Sequence, residues 1–326
     1  MLGRTMALAL ILWSFAALTL AGEPTVLHVN AFRSARSLPF YAAIDRGFFA
    51  EHGLDVALQF TEGSESQRAG LADGSVDIAQ SAVDNAVAMI DVAKDDVVIV
   101  SGGDSGTNEF YVQPEIKTFA DIRGHAIAVD AANTAYALQA KKILLQHGLK
   151  AGTDYTLNAV GNGTHRLQAL LTDKHNAGAI LNLPFSLQAA AQGMHSLGRT
   201  TDLLGPYQAD GAFVRRTWAR DHAETLVNYL AAYIEALRWS LDPKNHADAV
   251  AMLVDKLKLP QDMAEQSLKL IAEPGFGFAR DAKFDMAGFK NVLAMRAETE
   301  GGTPADPQRY IDLSYYDRAM KLVNKE

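Results

Sequence analysis

The sequence predicts an α/β protein with two lobes, in which parallel-rich sheets are flanked by helices and a ligand cleft lies between the lobes. Apolar strand-like runs alternate with amphipathic helical patterns along most of the chain, an order typical of parallel strands covered by helices. The chain has 326 residues, of which 48% are hydrophobic and 21% are charged. This length is sufficient for a short leader and two lobes of about 150 residues each.

The segment 37–80 predicts a helix, a strand, a second helix and another strand. Ser37 is placed as the N-cap of a helix over 38–51, where Pro39 is tolerated because its missing N–H would be unpaired in the first turn. Gly53 follows as a C-cap. Alternating apolar residues over 54–58 then predict a strand, a short helix ends near Gly74, and 76–80 predicts the next strand.

This segment resembles a known family. Its residues read Pro-Phe-Tyr at 39–41, Gly-Phe-Phe at 47–49, Gly-Leu-Asp-Val at 53–56 and Leu-Ala-Asp-Gly-Ser-Val-Asp at 71–77. They are similar to the opening of periplasmic solute-binding proteins of ABC transporters, of the nitrate/sulfonate/taurine/thiamine-pyrimidine type. The resemblance implies a type II periplasmic-binding-protein fold without a cofactor.

The first residues predict a signal peptide over 1–22. Arg4 is the only charged residue before Glu23, the run from Met6 to Leu20 is almost wholly apolar, and small residues follow at 21–22. A single membrane anchor is the alternative, but spanning needs about 20 apolar residues and this run is shorter. The predicted location is therefore the periplasm.

Composition excludes several classes of site. The chain has no cysteine, so a disulfide framework, a thiolate metal site and a cysteine nucleophile are excluded. The formal charge is −8, and the basic residues form no stripe, so no nucleic-acid partner is expected. No metal site, cofactor or catalytic residue is predicted, because the histidines are scattered and no nucleophile-elbow pattern surrounds Ser105 or Ser186.

The resemblance also implies the division into lobes. Residues 119–129 are similar to the family's entry into the second lobe, so lobe I is predicted over 23–112 and 207–326 and lobe II over 113–206. Hinges are expected near 111–114 and 206–212.

Five junctions between strands and helices are candidate ligand sites, because ligands of open α/β sheets lie beyond the carboxyl ends of the strands. Serine, threonine and asparagine at such junctions also act as plain N-caps, and the aromatic residues also suit a core. The predicted ligand-binding residues are Phe32, Arg33, Ser34, Phe40, Ser81, Asp84, Asn108, Asn133, Thr134, His165, Asn182 and Phe185.

The predicted function is the substrate-binding component of an ABC importer, a monomer that closes on a small solute and delivers it to a permease with its ATPase. Arg33 or Arg36 favours an organic anion such as a sulfonate or carboxylate, and the aromatic residues favour an aromatic or heteroaromatic body. Asp84 would instead suit the amino group of a thiamine-pyrimidine precursor. A ligand sensor for a signalling partner and an enzyme on the same scaffold are the alternatives from other classes.

Overall fold

The computed structural model describes residues 23–325; the predicted signal peptide lies outside these residues. The first sheet has the strand order β2-β1-β3-β10-β4. β1 pairs in parallel with β2 and β3, whereas β10 is antiparallel to β3 and β4. Its strands are β1 (Thr25–Ala31), β2 (Leu54–Phe60), β3 (Ile78–Ala82), β4 (Val97–Ile99) and β10 (Asp210–Arg215).

The second sheet has the order β7-β6-β8-β5-β9. β6 is parallel to β7 and β8, and β5 runs antiparallel to β8 and β9. Each sheet is therefore mixed, with three parallel strands at one edge followed by an antiparallel strand in the fourth position. The strands are β5 (Glu109–Val112), β6 (Ala126–Val129), β7 (Thr156–Ala159), β8 (Asn176–Leu181) and β9 (His195–Arg199).

Helices cover both faces of each sheet. Successive side chains of a strand point to opposite faces, and accordingly Ile78 and Ala79 belong to different apolar clusters, as do Ile127 and Ala128. The helices are α1 (Leu38–Asp45), α2 (Phe48–Glu51), α3 (Ser64–Asp73), α4 (Asp84–Ala88), α5 (Ala135–Gln146), α6 (Gly163–Thr172), α7 (Phe185–Ala191), α8 (Thr200–Leu204), α9 (Arg216–Asp221), α10 (Ala223–Leu241), α11 (His246–Leu257), α12 (Gln261–Ile271), α13 (Met286–Glu300) and α14 (Ser314–Asn324).

The long helix α10 anchors the first lobe. Its apolar face packs on α1 and α2, with Phe40 and Tyr233 rings 5.1 Å apart and Phe49 stacked on Tyr229 at 5.7 Å. The apolar residues of α10 recur at the 3.6-residue spacing of a helix, and the face they form is buried in the core. No helix among residues 23–325 is long and apolar enough to cross a membrane.

The helix expected over 38–51 is divided into α1 and α2. The chain turns at Gly47, whose φ of +84° is a left-handed conformation that glycine adopts without a Cβ clash. Ser37 precedes α1 as expected, but its Oγ donates to the Phe32 carbonyl at 3.0 Å instead of capping the helix.

The chain crosses from the first sheet to the second between Ile99 and Glu109, and returns between Leu204 and Asp210. The first crossover lies upstream of the boundary expected at 112, because β5 pairs with β8 and β9 and so belongs to the second sheet. The two crossovers run side by side, with the Ala209 N–H donating to the Asp104 carbonyl at 3.0 Å.

Candidate functional site

A narrow cavity of about 10 Å³ lies at the carboxyl ends of β1 and β3, next to the start of β10. This is the edge at which open α/β sheets hold their ligands. The cavity is lined by Ala31, Phe32, Ser34, Arg36, Ser37, Phe40, Gln80, Ser81 and Asp210.

Arg36 joins the two crossovers at the wall of this cavity. Its Nη1 lies 3.0 Å from an Asp104 oxygen and 3.4 Å from an Asp210 oxygen. Its Nη2 donates to the Tyr136 hydroxyl of the second lobe at 3.3 Å. The single guanidinium of Arg36 therefore forms ion pairs with two carboxylates and also makes a hydrogen bond between the lobes.

Burial changes the acidity of both carboxyl groups. Loss of solvation raises the pKa of Asp210 to about 7; repulsion from Asp104 adds to this, and Arg36 opposes it. Burial likewise raises the pKa of Asp104, again against the effect of Arg36. Asp210 therefore changes charge near neutral pH.

Gln80 supplies an unpaired acceptor in the cavity. Its side-chain Nε2 donates to Asp210 at 3.3 Å, and its Oε1 is buried without a donor, as is Nε of Arg36 without an acceptor. Buried polar atoms normally have partners. These two unpaired atoms thus support a polar ligand at this place.

The second lobe faces the cavity with an aromatic and polar wall. The Tyr136 ring lies under the Arg166 guanidinium at 4.0 Å, and Asn182 Oδ1 is 3.5 Å from both Tyr136 Oη and Arg166 Nη2. Arg166 is almost fully buried and also donates to the carbonyls of Gly161 and Ile180.

Further contacts join the lobes on either side. Ser64, the first residue of α3, donates to Asp130 at 2.9 Å, and Thr134 donates to the same carboxylate from its own lobe. The Ala35 N–H donates to the Leu183 carbonyl at 3.1 Å. The structure is thus a conformation in which the lobes touch across the cleft.

Four predicted ligand residues line the cavity, namely Phe32, Ser34, Phe40 and Ser81. The Ser81 hydroxyl, however, donates to Gln67 within the first lobe. Asn182 belongs to the facing wall of the second lobe, whereas Thr134 binds Asp130, the residue that Ser64 also contacts. These six residues come from several junctions of the two sheets.

Two other predicted residues point elsewhere. Arg33 is exposed and stacks on Phe60 at 4.4 Å. Asp84 is buried in the first lobe, where it accepts from the Tyr207 hydroxyl at 2.7 Å and pairs with Arg296 at 3.3 Å. Burial raises its pKa, and Arg296 acts in the opposite direction.

The last four predicted residues lie away from the cavity lining. Asn108 donates to Gln139 at 3.3 Å, and His165 is exposed, with its Nε2 4.0 Å from Glu62. Asn133 is exposed. Phe185 packs on Gly163 so closely that a Cβ there would lie 2.2 Å from the ring.

The sequence analysis missed Gln80, Asp104, Asp210 and Arg166 as site residues. Asp104 follows β4 in a glycine-rich loop, and a polar residue after a strand was the available signal. Asp210 carried no such signal, since it lies at the amino end of an antiparallel strand. Its proximity to Asp104 arises only when the crossovers meet. No group of three or more histidine, aspartate or glutamate side chains in 23–325 is arranged to hold a metal.

A model of the family described as NMT1/THI5 like matches residues 34–246, which confirms the resemblance drawn from the residues. No curated protein sequence matches the chain at a significant level.

Solved structures share the whole fold. A Bordetella bronchiseptica protein has a TM-score of 0.78 at 17% identity, covering 93% of this chain and 99% of that one. The periplasmic nitrate-binding protein of Synechocystis has 0.77 at 16%, covering 93% and 90%. The periplasmic aliphatic sulphonate binding protein of Escherichia coli has 0.69 at 18%, covering 89% and 92%. The α/β fold of periplasmic binding proteins is thereby confirmed.

Proposed function

Because this chain belongs to the NMT1/THI5-like family, we propose that it is the substrate-binding component of an ABC importer in the periplasm. It captures a small solute between its lobes and presents it to a permease. Two of its structural neighbours are named as periplasmic nitrate- and sulphonate-binding proteins. The observation that carries the proposal is the cavity at the strand ends, which holds unpaired buried polar atoms beside a cross-lobe arginine.

The mechanism follows from contacts that exist only when the lobes meet. Arg36 with Tyr136, Ser64 with Asp130 and the Ala35 N–H with the Leu183 carbonyl form across the cleft. A solute that adds contacts to both lobes favours the closed form by its difference in affinity for the two forms. The crossovers beside Asp104 and Asp210 are the segments that rotation must bend.

The proposal is tested by thermal shift of the chain 23–326 with sulfonates, carboxylates, nitrate, pyrimidines and organic cations. A ligand that binds only the folded form raises the free energy of unfolding by about 2.7 kcal/mol when its concentration is a hundred times Kd. A saturable rise in Tm with one chemical class is expected, with no product formed on incubation. Conversion of a bound compound to product would instead support an enzyme. If protein shown to be free of ligand gave no rise in Tm with any compound of the panel, the proposal would be contradicted.

A further inference from the structure

The charges around the cavity do not balance. Asp104 and Asp210 share one cation, since Arg36 Nη1 lies 3.0 Å from one carboxylate and 3.4 Å from the other. Within residues 23–325 no other arginine, lysine or histidine lies within 4.0 Å of either carboxylate. With both groups ionised, this wall holds one unneutralised negative charge in a buried place.

The other groups that face Asp210 cannot supply the missing charge. β3 presents the neutral amide of Gln80, and α10 presents Tyr229 and Tyr233. Burial raises the pKa of both tyrosines, and the charge of Asp210 adds to this, so both stay neutral. From the second lobe, Tyr136 reaches Arg36, whereas Arg166 donates to carbonyl oxygens of its own lobe.

The hydrogen bonds beside the charge are also incomplete. Gln80 turns its amide nitrogen toward Asp210, since the opposite orientation would bring two acceptors together. Its Oε1 is left buried without a donor. The wall therefore offers two neighbouring acceptors, a carboxylate and an amide oxygen, to whatever occupies the cavity, beside the unpaired donor Nε of Arg36.

From this geometry, we propose that the solute carries a cationic head group with N–H donors, of the amidinium, guanidinium or ammonium class, which binds against Asp210 and Gln80 Oε1. Such a group supplies the missing charge and the missing donor together. Phe32 and Phe40 line the same cavity, which measures about 10 Å³ and must widen by separation of the lobes to admit the group. This inference rests on the proposed function and names the chemistry of the same site.

The anion expected from the sequence fits this wall poorly. It was based on Arg33 and Arg36, but Arg33 lies on Phe60 and Arg36 is engaged by two carboxylates. A sulfonate or carboxylate in the cavity would face Asp210 and the carbonyl-type oxygen of Gln80. Both would repel it.

The test compares probes that differ only in the head group, by isothermal titration calorimetry on the chain 23–326. Benzamidine, benzamide and benzoate form one series, and acetamidine, acetamide and acetate form another with a smaller body. We expect the amidines to bind at least about tenfold more tightly than their amides, as for hydrogen bonds between charged groups. The affinity for benzamidine should rise about tenfold or more from pH 5.5 to pH 8, as Asp210 ionises.

Asp210→Asn keeps the shape and removes the charge. It should weaken benzamidine binding by about tenfold to a hundredfold and abolish the pH dependence. The matched control is Asp248→Asn, an exposed aspartate on α11 that pairs with Arg46, and it should leave the affinity unchanged.

A ligand-free measurement separates this inference from the proposed function. In protein labelled with ¹³C at aspartate carboxyls, the signal lost in Asp210→Asn should titrate with a midpoint near 7. Equal binding of amidine and amide, or binding of the acids alone, overturns the inference while the importer role stands. If no probe binds, the importer role loses support. A midpoint near 7 for Asp210 would then still support a cationic head group on the solute. A midpoint near 3.8 would overturn that inference.

Discussion

Single residues set the electrostatics of this protein, and Asp210 gives it a pH dependence near neutrality. Its pKa is raised from 3.8 to about 7 in the folded chain, mainly by burial. The folded state therefore binds a proton that the unfolded state has already lost between these values. The stability from this group is full below pH 3.8 and is lost as the pH rises through 7.

The Asp210→Asn variant should not lose stability in this way as the pH rises, because asparagine does not ionise. Because one pKa unit corresponds to 1.36 kcal/mol, the free energy of unfolding of the variant should gain about 2 kcal/mol relative to the wild type between pH 5 and pH 7. Urea unfolding at both pH values measures the difference. If the variant and the wild type differed by the same free energy of unfolding at pH 5 and pH 7, Asp210 would ionise in the ordinary range of an aspartate.

Arg296 should be needed for folding stability. It is 3% exposed and pairs with the buried Asp84 at 3.3 Å. Arg296→Ala leaves that carboxylate buried without its cation, which should cost about 3–5 kcal/mol in urea unfolding. Arg280→Ala is the control, since the Arg280 side chain is 96% exposed and should change stability by less than about 0.5 kcal/mol. Equal effects of the two variants would contradict this role.

At the level of elements, the start of α6 is fixed by a close approach to α7. A Cβ at Gly163 would lie 2.2 Å from the Phe185 ring, so Gly163→Ala should destabilise the chain by about 1–3 kcal/mol. Gly63→Ser, at the N-cap of α3, is the control because a Cβ there meets nothing within 4 Å. Thermal unfolding compares the two variants. An unchanged Tm in Gly163→Ala would contradict this prediction and show that Phe185 moves aside freely.

Elements whose signals are local were predictable from the sequence, and those that depend on partners far along the chain were not. The start of α1, with Pro39 in its first turn, and the strands β2 and β3 follow from proline, glycine and apolar spacing, although Ser37 does not cap the helix. β5 was assigned to lobe I because nothing within Glu109–Val112 shows that its partners are β8 and β9. For the same reason the junctions were predictable as candidate sites, but the meeting of Arg36, Asp104 and Asp210 was not.

For the whole molecule, the contacts across the cleft should control affinity. Ser64 donates from lobe I to Asp130 in lobe II. Ser64→Ala removes a hydrogen bond to a charged group that forms only on closure, so affinity for the solute should fall about tenfold or more. Ser66→Ala is the control, because among residues 23–325 the Ser66 side chain bonds only to Thr61 and Gly63 of its own lobe. Calorimetric titration that gives equal affinities for the two variants would place this contact outside the closing mechanism.

The central claim is that a small solute closes the two lobes on itself. Small-angle X-ray scattering of the chain 23–326, with and without the compound that gives the largest thermal shift, tests it most directly. The account predicts a saturable fall in the radius of gyration that follows the binding curve, reduced in Ser64→Ala at the same concentration. Saturable binding with an unchanged radius of gyration would show that the solute does not close the cleft and would contradict the account.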